Sequence, residues 1–479
     1  MNVLKRLNDS YSREDSIFGV FWMAGISEIC RRLETGPKMS AETFDLDVVY
    51  ANARILSEKY RIVYDPTNPV PSDNDLADRT FQAAVDFVVE TGVYCPNTSS
   101  VIGFTRDEVL DAVANSRGRC IMGEGKDRYV WTPRLPDSDT KPWYHVGTGI
   151  INTDERIAFN LVKSYAEIKQ ANSVSVPALE TIDGLMVASG TPTEVLGAIR
   201  GIKIARDALH YAGRPGLAIG NCISTAGTAL ATIAASSPQF GLHPSDGWLV
   251  GALAEMKFNM SALNKTAYLS SWGANIGNES GPLVGGYAGG PAGTAILNVA
   301  YRLIGILVLD CDYHLTFPIH ITRSCSTARE VLWCVAVSSQ AISRNTKELV
   351  WSLGYVAAGP MTKQFFYETA AYLAAAIPSG VSAQTTHPAR AVLNDYITPM
   401  EMIGSVEINE ACVGMSRTQG NELAIELLRK YEDKIDNAPV GKRYQDCYDM
   451  DTGLPCQEYI SLYGEVKEEL RAMGFDFRQ

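Results

Sequence analysis

From about residue 150 onward, short apolar runs alternate with longer stretches whose apolar residues recur at helical spacing. Continuous apolar runs are typical of strands that are buried on both faces, as in parallel sheets. Six runs predict strands, at residues 181–187, 216–220, 267–271, 306–311, 349–353 and 379–382. Four amphipathic stretches predict helices, at residues 192–212, 294–303, 326–344 and 362–375.

The spacing of these elements predicts the fold class. Successive predicted strands lie roughly 30 to 50 residues apart, which is the size of one strand–helix–strand unit. This alternation indicates an α/β fold with parallel strands. We predict a closed (β/α)8 TIM barrel, with an open doubly wound sheet as the alternative.

The two ends of the chain do not show this alternation of strands and helices. The first 90 residues are more polar, with helical spacing at residues 46–59 and 76–91 and a proline-rich connector between them. We therefore predict a helical N-terminal extension over residues 1–90. The TIM-barrel domain then covers residues 91–479 and includes C-terminal helices.

Composition narrows the choice of partner and compartment. The formal net charge is −12 and no cluster of Lys or Arg stands out, which argues against nucleic acid and anionic membranes as partners. The N-terminus lacks a signal-peptide core, and no uncharged apolar run of about 18 residues predicts a membrane span. The ten Cys include no CxxC pair. We expect a cytoplasmic protein with mostly reduced, buried thiols.

Residues 278–329 hold the strongest candidates for chemistry. Glu279 is a single carboxylate in an otherwise uncharged loop, and His314 and His320, two of only six His, follow a predicted strand. Side chains at the carboxyl ends of barrel strands carry the chemistry of such folds. Glu279 is either a solvated loop residue or a buried acid with a raised pKa, and each His is either a core residue or functional.

Two glycine-rich runs and one Cys–Asp–His cluster remain ambiguous. The runs at residues 285–293 and 220–227 contain no nucleotide-binding motif, so they are tight turns or places where a large flat ligand approaches the backbone. Cys311, Asp312 and His314 match no zinc spacing. We predict no metal site, although zinc as a cofactor is left open.

Five segments carry a family resemblance. They are GVYCPNTSSVIGFTRDEVLDAV (92–113), AGRPG (212–216), GPLVGGYAGG (281–290), YHLTFPIHITRSCSTAREVL (313–332) and AAGP (357–360). In this order they resemble the monomethylamine:corrinoid methyltransferase family. The resemblance implies a TIM barrel that opens onto a separate corrinoid protein and passes a methyl group from a small methylated substrate to Co(I). It also implies a homo-oligomer.

The departures from the family change the expected substrate. The family's pyrrolysine falls at Gly220, its amine-holding Glu near Leu249 and its pocket Gln at Leu353, whereas Glu279 matches a retained Glu. Gly and Leu can neither capture nor pair with an amine, so we expect a roomier and more apolar chamber that favours an aromatic ring. The leading hypothesis is the methyltransferase component of an O-demethylase for methoxylated aromatic compounds.

That hypothesis assigns roles to individual residues. Glu279 is the first candidate for the acid that protonates the leaving phenolate, followed by His314 and His320. The loop glycines Gly285, Gly286, Gly289 and Gly290 are expected to face the corrinoid. The predicted substrate-binding residues are Gly220, Asn221, Leu249, Tyr287, Arg323, Leu353 and Tyr355.

Two alternatives stay open. The first is demethylation of a methylamine or quaternary ammonium compound without pyrrolysine, with Trp248, Trp272 and Tyr287 as an aromatic cage for the cation. The second, of another class, is a non-catalytic barrel that binds the corrinoid protein as a scaffold.

Overall fold

The computed structural model describes residues 20–221 and 227–477, and its centre is a sheet of eight parallel strands. The strands are β1 Trp143–Val146, β2 Ser173–Ser175, β3 Ala218–Asn221, β4 Gly247–Gly251, β5 Asn275–Ser280, β6 Tyr313–Thr316, β7 Val350–Tyr355 and β8 Ala383–His387. They pair in the order β3-β2-β1-β8-β7-β6-β5-β4, and the edge strands β3 and β4 contact each other, so the sheet nearly closes into a barrel.

One helix follows each strand and covers the outside of the barrel. These are α1 Glu155–Glu167, α2 Pro192–Tyr211, α3 Ala229–Ala235, α4 Met260–Trp272, α5 Pro291–Leu309, α6 Arg329–Asn345, α7 Lys363–Ala376 and α8 Pro399–Cys412. Eight strand–helix units around a parallel sheet confirm the predicted (β/α)8 barrel and exclude the open doubly wound alternative.

Some predicted strands are wrong. Residues 267–271 lie inside α4, and residues 306–309 form the last turn of α5. Most residues of α5 are buried, and a helix buried on most sides has a continuous apolar sequence that cannot be told from a buried strand. The predicted strand at 181–187 is a small hairpin, Thr181–Ile182 with Leu185–Met186, outside the barrel sheet.

Helices and two hairpins precede the barrel, and further helices follow it. The Asp73 carboxylate caps helix Asn74–Thr91 by accepting a hydrogen bond from the Leu76 N–H at 3.1 Å. The preceding elements are Val20–Thr35, Ala41–Thr43, Phe44–Tyr50, Ala51–Lys59, Asn74–Thr91, Val93–Cys95, Ser100–Ile102, Arg106–Ala114, Cys120–Met122 and Tyr129–Trp131. The C-terminal helices are Arg417–Tyr431, Tyr444–Cys447 and Gln457–Met473.

Aromatic side chains fill the amino end of the barrel. Trp131, from the second hairpin, stacks on Trp143 at 5.6 Å between ring centroids and lies 5.3 Å from Tyr313. Trp143 and Tyr313 are the first residues of β1 and β6, so these rings close the amino end. Access to the barrel interior is therefore from the carboxyl ends of the strands.

Among the described residues, α5 is the one helix long and apolar enough to cross a membrane, with 83% of its most apolar window buried within the protein. That burial is typical of a core helix.

Candidate active site at the carboxyl ends of the strands

Strand register places a set of side chains together inside the barrel. Glu279 is paired with Leu315, which belongs to the apolar cluster of the interior, and paired residues of adjacent parallel strands face the same side. By the same rule Tyr355 and His387, which pair with each other, face inward two residues beyond Leu353. We call the space lined by Leu249, Glu279, Phe317, Leu353, Tyr355 and His387 the chamber.

Glu279 is the carboxylate of the chamber. Its side chain keeps some accessible surface, but protein surrounds it closely enough that burial raises the pKa of its carboxyl from 4.5 to about 6, while Lys265 acts in the opposite direction. At neutral pH the Glu279 carboxyl group is therefore ionised in most molecules. A moderate fall in pH would protonate them.

Lys265 and Glu194 add charges beside Glu279. Lys265 of α4 donates from its amino group to the Gly227 carbonyl at 3.3 Å, and it interacts electrostatically with both Glu279 and Glu194. Burial acts to raise the pKa of Glu194, but hydrogen bonds from Gly190 and Thr228 outweigh it and leave that pKa below its ordinary value. Two carboxylates thus interact electrostatically with one ammonium group, and the three charges sum to one net negative charge.

A row of rings forms one wall of the chamber. The Tyr355 ring meets the Phe317 ring edge-on at 5.4 Å and the His387 ring edge-on at 5.5 Å. Burial, together with the nearby Glu279 charge, raises the pKa of Tyr355 well above its ordinary value. The wall is therefore aromatic and uncharged, with a phenol group that stays protonated.

Two imidazoles that the sequence did not reveal extend this wall. His145 of β1 is buried, with its ring nitrogens 2.8 Å from the Ser173 hydroxyl and 2.9 Å from the Ser175 hydroxyl. Burial lowers the pKa of both His145 and His387 to about 3. Both rings are neutral at physiological pH. The sequence signal was weak because β1 and β8 carry polar residues and do not read as apolar runs.

The position of Gly220 corrects the expectation of a roomier chamber. A Cβ atom at Gly220 would lie 2.7 Å from the Ser173 hydroxyl oxygen and 3.1 Å from Nδ1 of His145. These two side chains occupy the volume beside the glycine. The side chain of Asn221 and residues 222–226 lie outside the described part of the chain.

His314 and His320 do not line the chamber. His314 lies between the inward-facing Tyr313 and Leu315, so it points away from the interior, where its Nε2 lies 2.6 Å from the Glu348 carboxylate. His320 follows β6 in the short strand Ile319–His320, which pairs with Leu283–Val284 outside the barrel sheet, and its Nδ1 accepts from the Thr322 hydroxyl at 3.2 Å.

The remaining polar and aromatic candidates also lie outside the chamber. Arg323 faces Glu330 and Asp436, with nitrogen–oxygen distances of 3.8 and 3.5 Å. Trp248 and Trp272 pack edge-on at 5.2 Å, and the Trp248 indole donates to Ser236 on the helix side of β4. Tyr287 is 44% exposed. The predicted aromatic cage of Trp248, Trp272 and Tyr287 therefore does not form.

Local geometry accounts for three of the four loop glycines. Gly285 and Gly289 have positive φ angles of 92° and 78°, which favour glycine. A Cβ atom at Gly286 would lie 2.9 Å from a carboxylate oxygen of Glu255, whose pKa burial raises to about 7. Gly290 has no such constraint, because an added Cβ would meet nothing within 4 Å.

The Cys–Asp–His cluster is not arranged as a metal site. Over residues 20–221 and 227–477, no group of three or more His, Cys, Asp or Glu side chains could hold a metal ion. The Cys311 sulfur lies 3.6 Å from Nδ1 of His314, but the Asp312 carboxylate accepts from the Ile276 N–H and from Arg117 instead.

A nearly closed eight-stranded barrel with an enclosed carboxylate at the carboxyl ends of its strands defines a TIM-barrel enzyme. The sequence model described as monomethylamine methyltransferase MtmB matches residues 24–475. The chain belongs to this family, and it is a methyltransferase.

Individual relatives agree with this assignment. Monomethylamine methyltransferase MtmB3 of Methanosarcina barkeri is 28% identical over 447 residues, which cover 93% of this chain and 97% of the relative. The corresponding MtmB of Methanosarcina mazei is 29% identical over the same length. The crystal structure of the Methanosarcina barkeri enzyme superposes with a TM-score of 0.91 at 28% identity, covering 94% of this chain and 98% of that chain.

Proposed function

We propose that this protein transfers a methyl group from a small methylated ammonium compound, in the first place a quaternary one, to a corrinoid carried by a partner protein. The names of the relatives support an amine as the methyl donor. The observation that carries the choice of a cation is the net negative charge of the Glu194, Lys265 and Glu279 cluster.

Charge balance favours a cationic substrate. The neutral His145 and His387 add nothing to the local charge, so the cluster keeps about one net negative charge once Glu279 is ionised. A bound monocation would neutralise it. In a poorly solvated site an unbalanced charge costs several kcal/mol, which makes charge a strong selector of substrates.

The lining of the chamber favours a quaternary nitrogen over methylammonium. Methylammonium has three N–H donors, whereas Leu249 and Leu353 offer no acceptor and Glu279 is the one carboxylate among the chamber residues, beside the neutral acceptors Tyr355 and His387. A quaternary nitrogen has no donor to satisfy and is attracted to aromatic rings such as Phe317 and Tyr355. Its positive charge already makes the amine a good leaving group.

The methoxylated-aromatic hypothesis receives no support from the comparisons, which favour the amine alternative. The electrostatics agree, because a methoxybenzoate would bring a negative charge to a net negative cluster. Arg323, its predicted counter-charge, faces Glu330 and Asp436 instead. The non-catalytic scaffold does not fit a chain that belongs to a family of methyltransferases.

The residues of this chain bind and orient the methyl donor. A bound partner's reduced corrinoid would supply the electron pair for the new bond to the methyl carbon, and the pair of the broken N–CH3 bond would stay on nitrogen. Glu279 holds the ammonium charge, and the Phe317 and Tyr355 rings fix the direction of the methyl group. The amine leaves uncharged, so its attraction to Glu279 ends with the transfer and product release follows.

The carboxyl end of the barrel offers a docking face for the partner. Exposed apolar side chains stand on the loops after β1, β4, β5, β6 and β8, and we call them the rim; they are Ile151, Leu253, Tyr287, Ile321 and Val392. Gly290 lies just after Tyr287 with open space around it. We expect the corrinoid ring to approach the chamber across this face.

Replacing Gly290 by Trp should lower kcat/KM for the corrinoid protein by about tenfold or more, because a bulky ring would occupy the docking face. The affinity for the ammonium substrate should stay unchanged. Steady-state methyl transfer at varied corrinoid-protein concentration measures the effect. Gly464→Trp is the matched control, because Gly464 is equally open but lies on a C-terminal helix. A normal rate for Gly290→Trp would contradict the docking face.

A direct assay tests the proposed function. The purified protein is mixed with a corrinoid protein reduced to Co(I) and with tetramethylammonium, choline, methylamine or a methoxybenzoate, and methyl-Co(III) is followed by absorbance. We expect turnover of the quaternary compounds. Turnover of methylamine alone would replace the quaternary proposal, and turnover of the aromatic ether alone would refute the amine proposal.

The pH dependence separates binding by a carboxylate from catalysis by an acid. Because the pKa of Glu279 is about 6 and the ionised form binds the cation, kcat/KM should rise with pH through about 6 and then level off. Protonation of an ether by the same group would need the neutral acid and would make kcat/KM fall over that range. The profile of kcat/KM between about pH 5 and 8, with the corrinoid protein in fixed excess, distinguishes the two.

A further inference from the structure

The part of the aromatic wall that carries His387 and His145, on β8 and β1, is polar without being charged. His387 is 8% exposed at the carboxyl end of β8, and its ring packs edge-on against Tyr355. His145 lies deeper, with both ring nitrogens within hydrogen-bond distance of serine hydroxyls and its ring 4.2 Å from that of Trp351. A wall that contacted only the methyl groups of a substrate would need none of these polar side chains.

The two imidazoles of this wall differ in how many of their ring nitrogens are available to a ligand. The two ring nitrogens of His145 are both engaged by Ser173 and Ser175, which leaves it no free nitrogen for a ligand. His387 lies nearer the mouth, in register with Tyr355, and its bond to the Gly147 backbone engages one ring nitrogen and leaves the other for a ligand. Of the two imidazoles, His387 is therefore the one that a substrate in the chamber can reach.

We infer that His387 is a specificity-determining residue that hydrogen-bonds a hydroxyl group on the substrate, beyond its methylated nitrogen. This inference rests on the proposed function and narrows its substrate class to hydroxylated methylammonium compounds. A hydroxyl suits the wall because one ring nitrogen of His387 donates to the Gly147 backbone, which leaves the other nitrogen to accept a hydrogen bond from a hydroxyl.

A carboxylate in the same place fits less well. Both imidazoles are neutral at physiological pH and Arg323 faces Glu330 and Asp436, so none of them balances a second negative charge near Glu279. An uncompensated charge in a poorly solvated site is costly. The hydroxyl is the polar group that the chamber accepts without a counter-ion.

Calorimetric titration with two matched ligands tests this inference without the corrinoid protein. Choline carries a terminal hydroxyl, and n-propyltrimethylammonium has a methyl group in its place. We expect the wild-type protein to bind choline about tenfold more tightly, which is the range of one buried neutral hydrogen bond. His387→Phe keeps a ring against Tyr355 and should abolish the preference, with little change in affinity for the propyl compound.

A second measurement uses the folded wild-type protein. In a spectrum of protein labelled with 15N at histidine, the His387 signal, assigned by its loss in His387→Phe, should shift with choline and not with the propyl compound. His387→Asn, which restores a hydrogen-bonding group, should recover part of the preference for choline.

The outcomes separate the two levels of the proposal. If the wild-type protein binds both ligands equally, or if His387→Phe keeps the preference for choline, the role of His387 is refuted while the ammonium site stands. If it binds neither ligand, the proposed function is refuted together with this inference.

Discussion

Replacing Glu279 by Gln should lower kcat/KM for the ammonium substrate by roughly 30- to 5000-fold. Glutamine keeps the shape of the side chain but removes the negative charge that holds the cation. Leaving one partner of an enclosed charge pair without its counter-charge costs about 2–5 kcal/mol, and each 1.36 kcal/mol is a factor of ten.

Initial rates of methyl-Co(III) formation at varied substrate concentration measure this loss. The rise of kcat/KM through about pH 6 should vanish in the same variant, because the group that titrates is gone. Glu348→Gln is the matched control: Glu348 is also buried but bonds His314 outside the chamber, so activity should stay near that of the wild type. A Glu279→Gln enzyme within threefold of wild-type activity would remove Glu279 from the site.

The barrel was predictable because long amphipathic helices mark its repeat. Helix α2, with Pro192 in its first turn, and helix α7 were predicted within one or two residues. Most barrel strands were missed because they have only three to six residues and carry polar side chains that point inward. Part of helix α5 has the sequence pattern of a strand, since burial on nearly all sides removes the helical periodicity.

The membership of the site depended on strand register, which the sequence leaves open. His314 and Leu315 are neighbours, and a shift of one residue exchanges the inward and outward faces of a strand. Leu315 packs in the interior cluster, so its pairing with Glu279 places that carboxylate on the inner face, while His314 lies on the other face. Glu279 itself could be singled out, since it is a lone carboxylate beside the glycine-rich loop.

The substitutions at the family's pocket positions were visible in the sequence, but their consequence was not. Gly220 in place of a large residue suggests an enlarged chamber, whereas in the structure His145 and Ser173 fill the space beside it. These residues are far apart along the chain and meet only because β1, β2 and β3 are adjacent in the sheet. A single sequence holds no signal that links a small residue on one strand to larger polar residues on the next two.

Replacing Gly359 by Ala should destabilise the protein by about 3 kcal/mol or more, because the added methyl group would meet backbone atoms that cannot rotate away. Gly359 lies in the AAGP segment between β7 and α7. A Cβ atom there would lie 1.6 Å from the Val440 carbonyl oxygen, and the Gly359 N–H donates to the Pro439 carbonyl at 2.8 Å. The C-terminal segment must therefore move for any side chain to fit.

Thermal unfolding of the two matched alanine variants measures this cost. For a chain of this length, about 3 kcal/mol corresponds to a fall in Tm of roughly 3 °C. Gly464→Ala places the same methyl group in open space on helix Gln457–Met473, where alanine is the better helix former, so its Tm should be equal to or above that of the wild type. Equal Tm values for the two variants would mean that residues 439–441 do not pack against the AAGP loop. Tyr355, a chamber residue at the end of β7, lies four residues before Gly359. This contact therefore also connects the C-terminal segment to the strand that carries part of the aromatic wall.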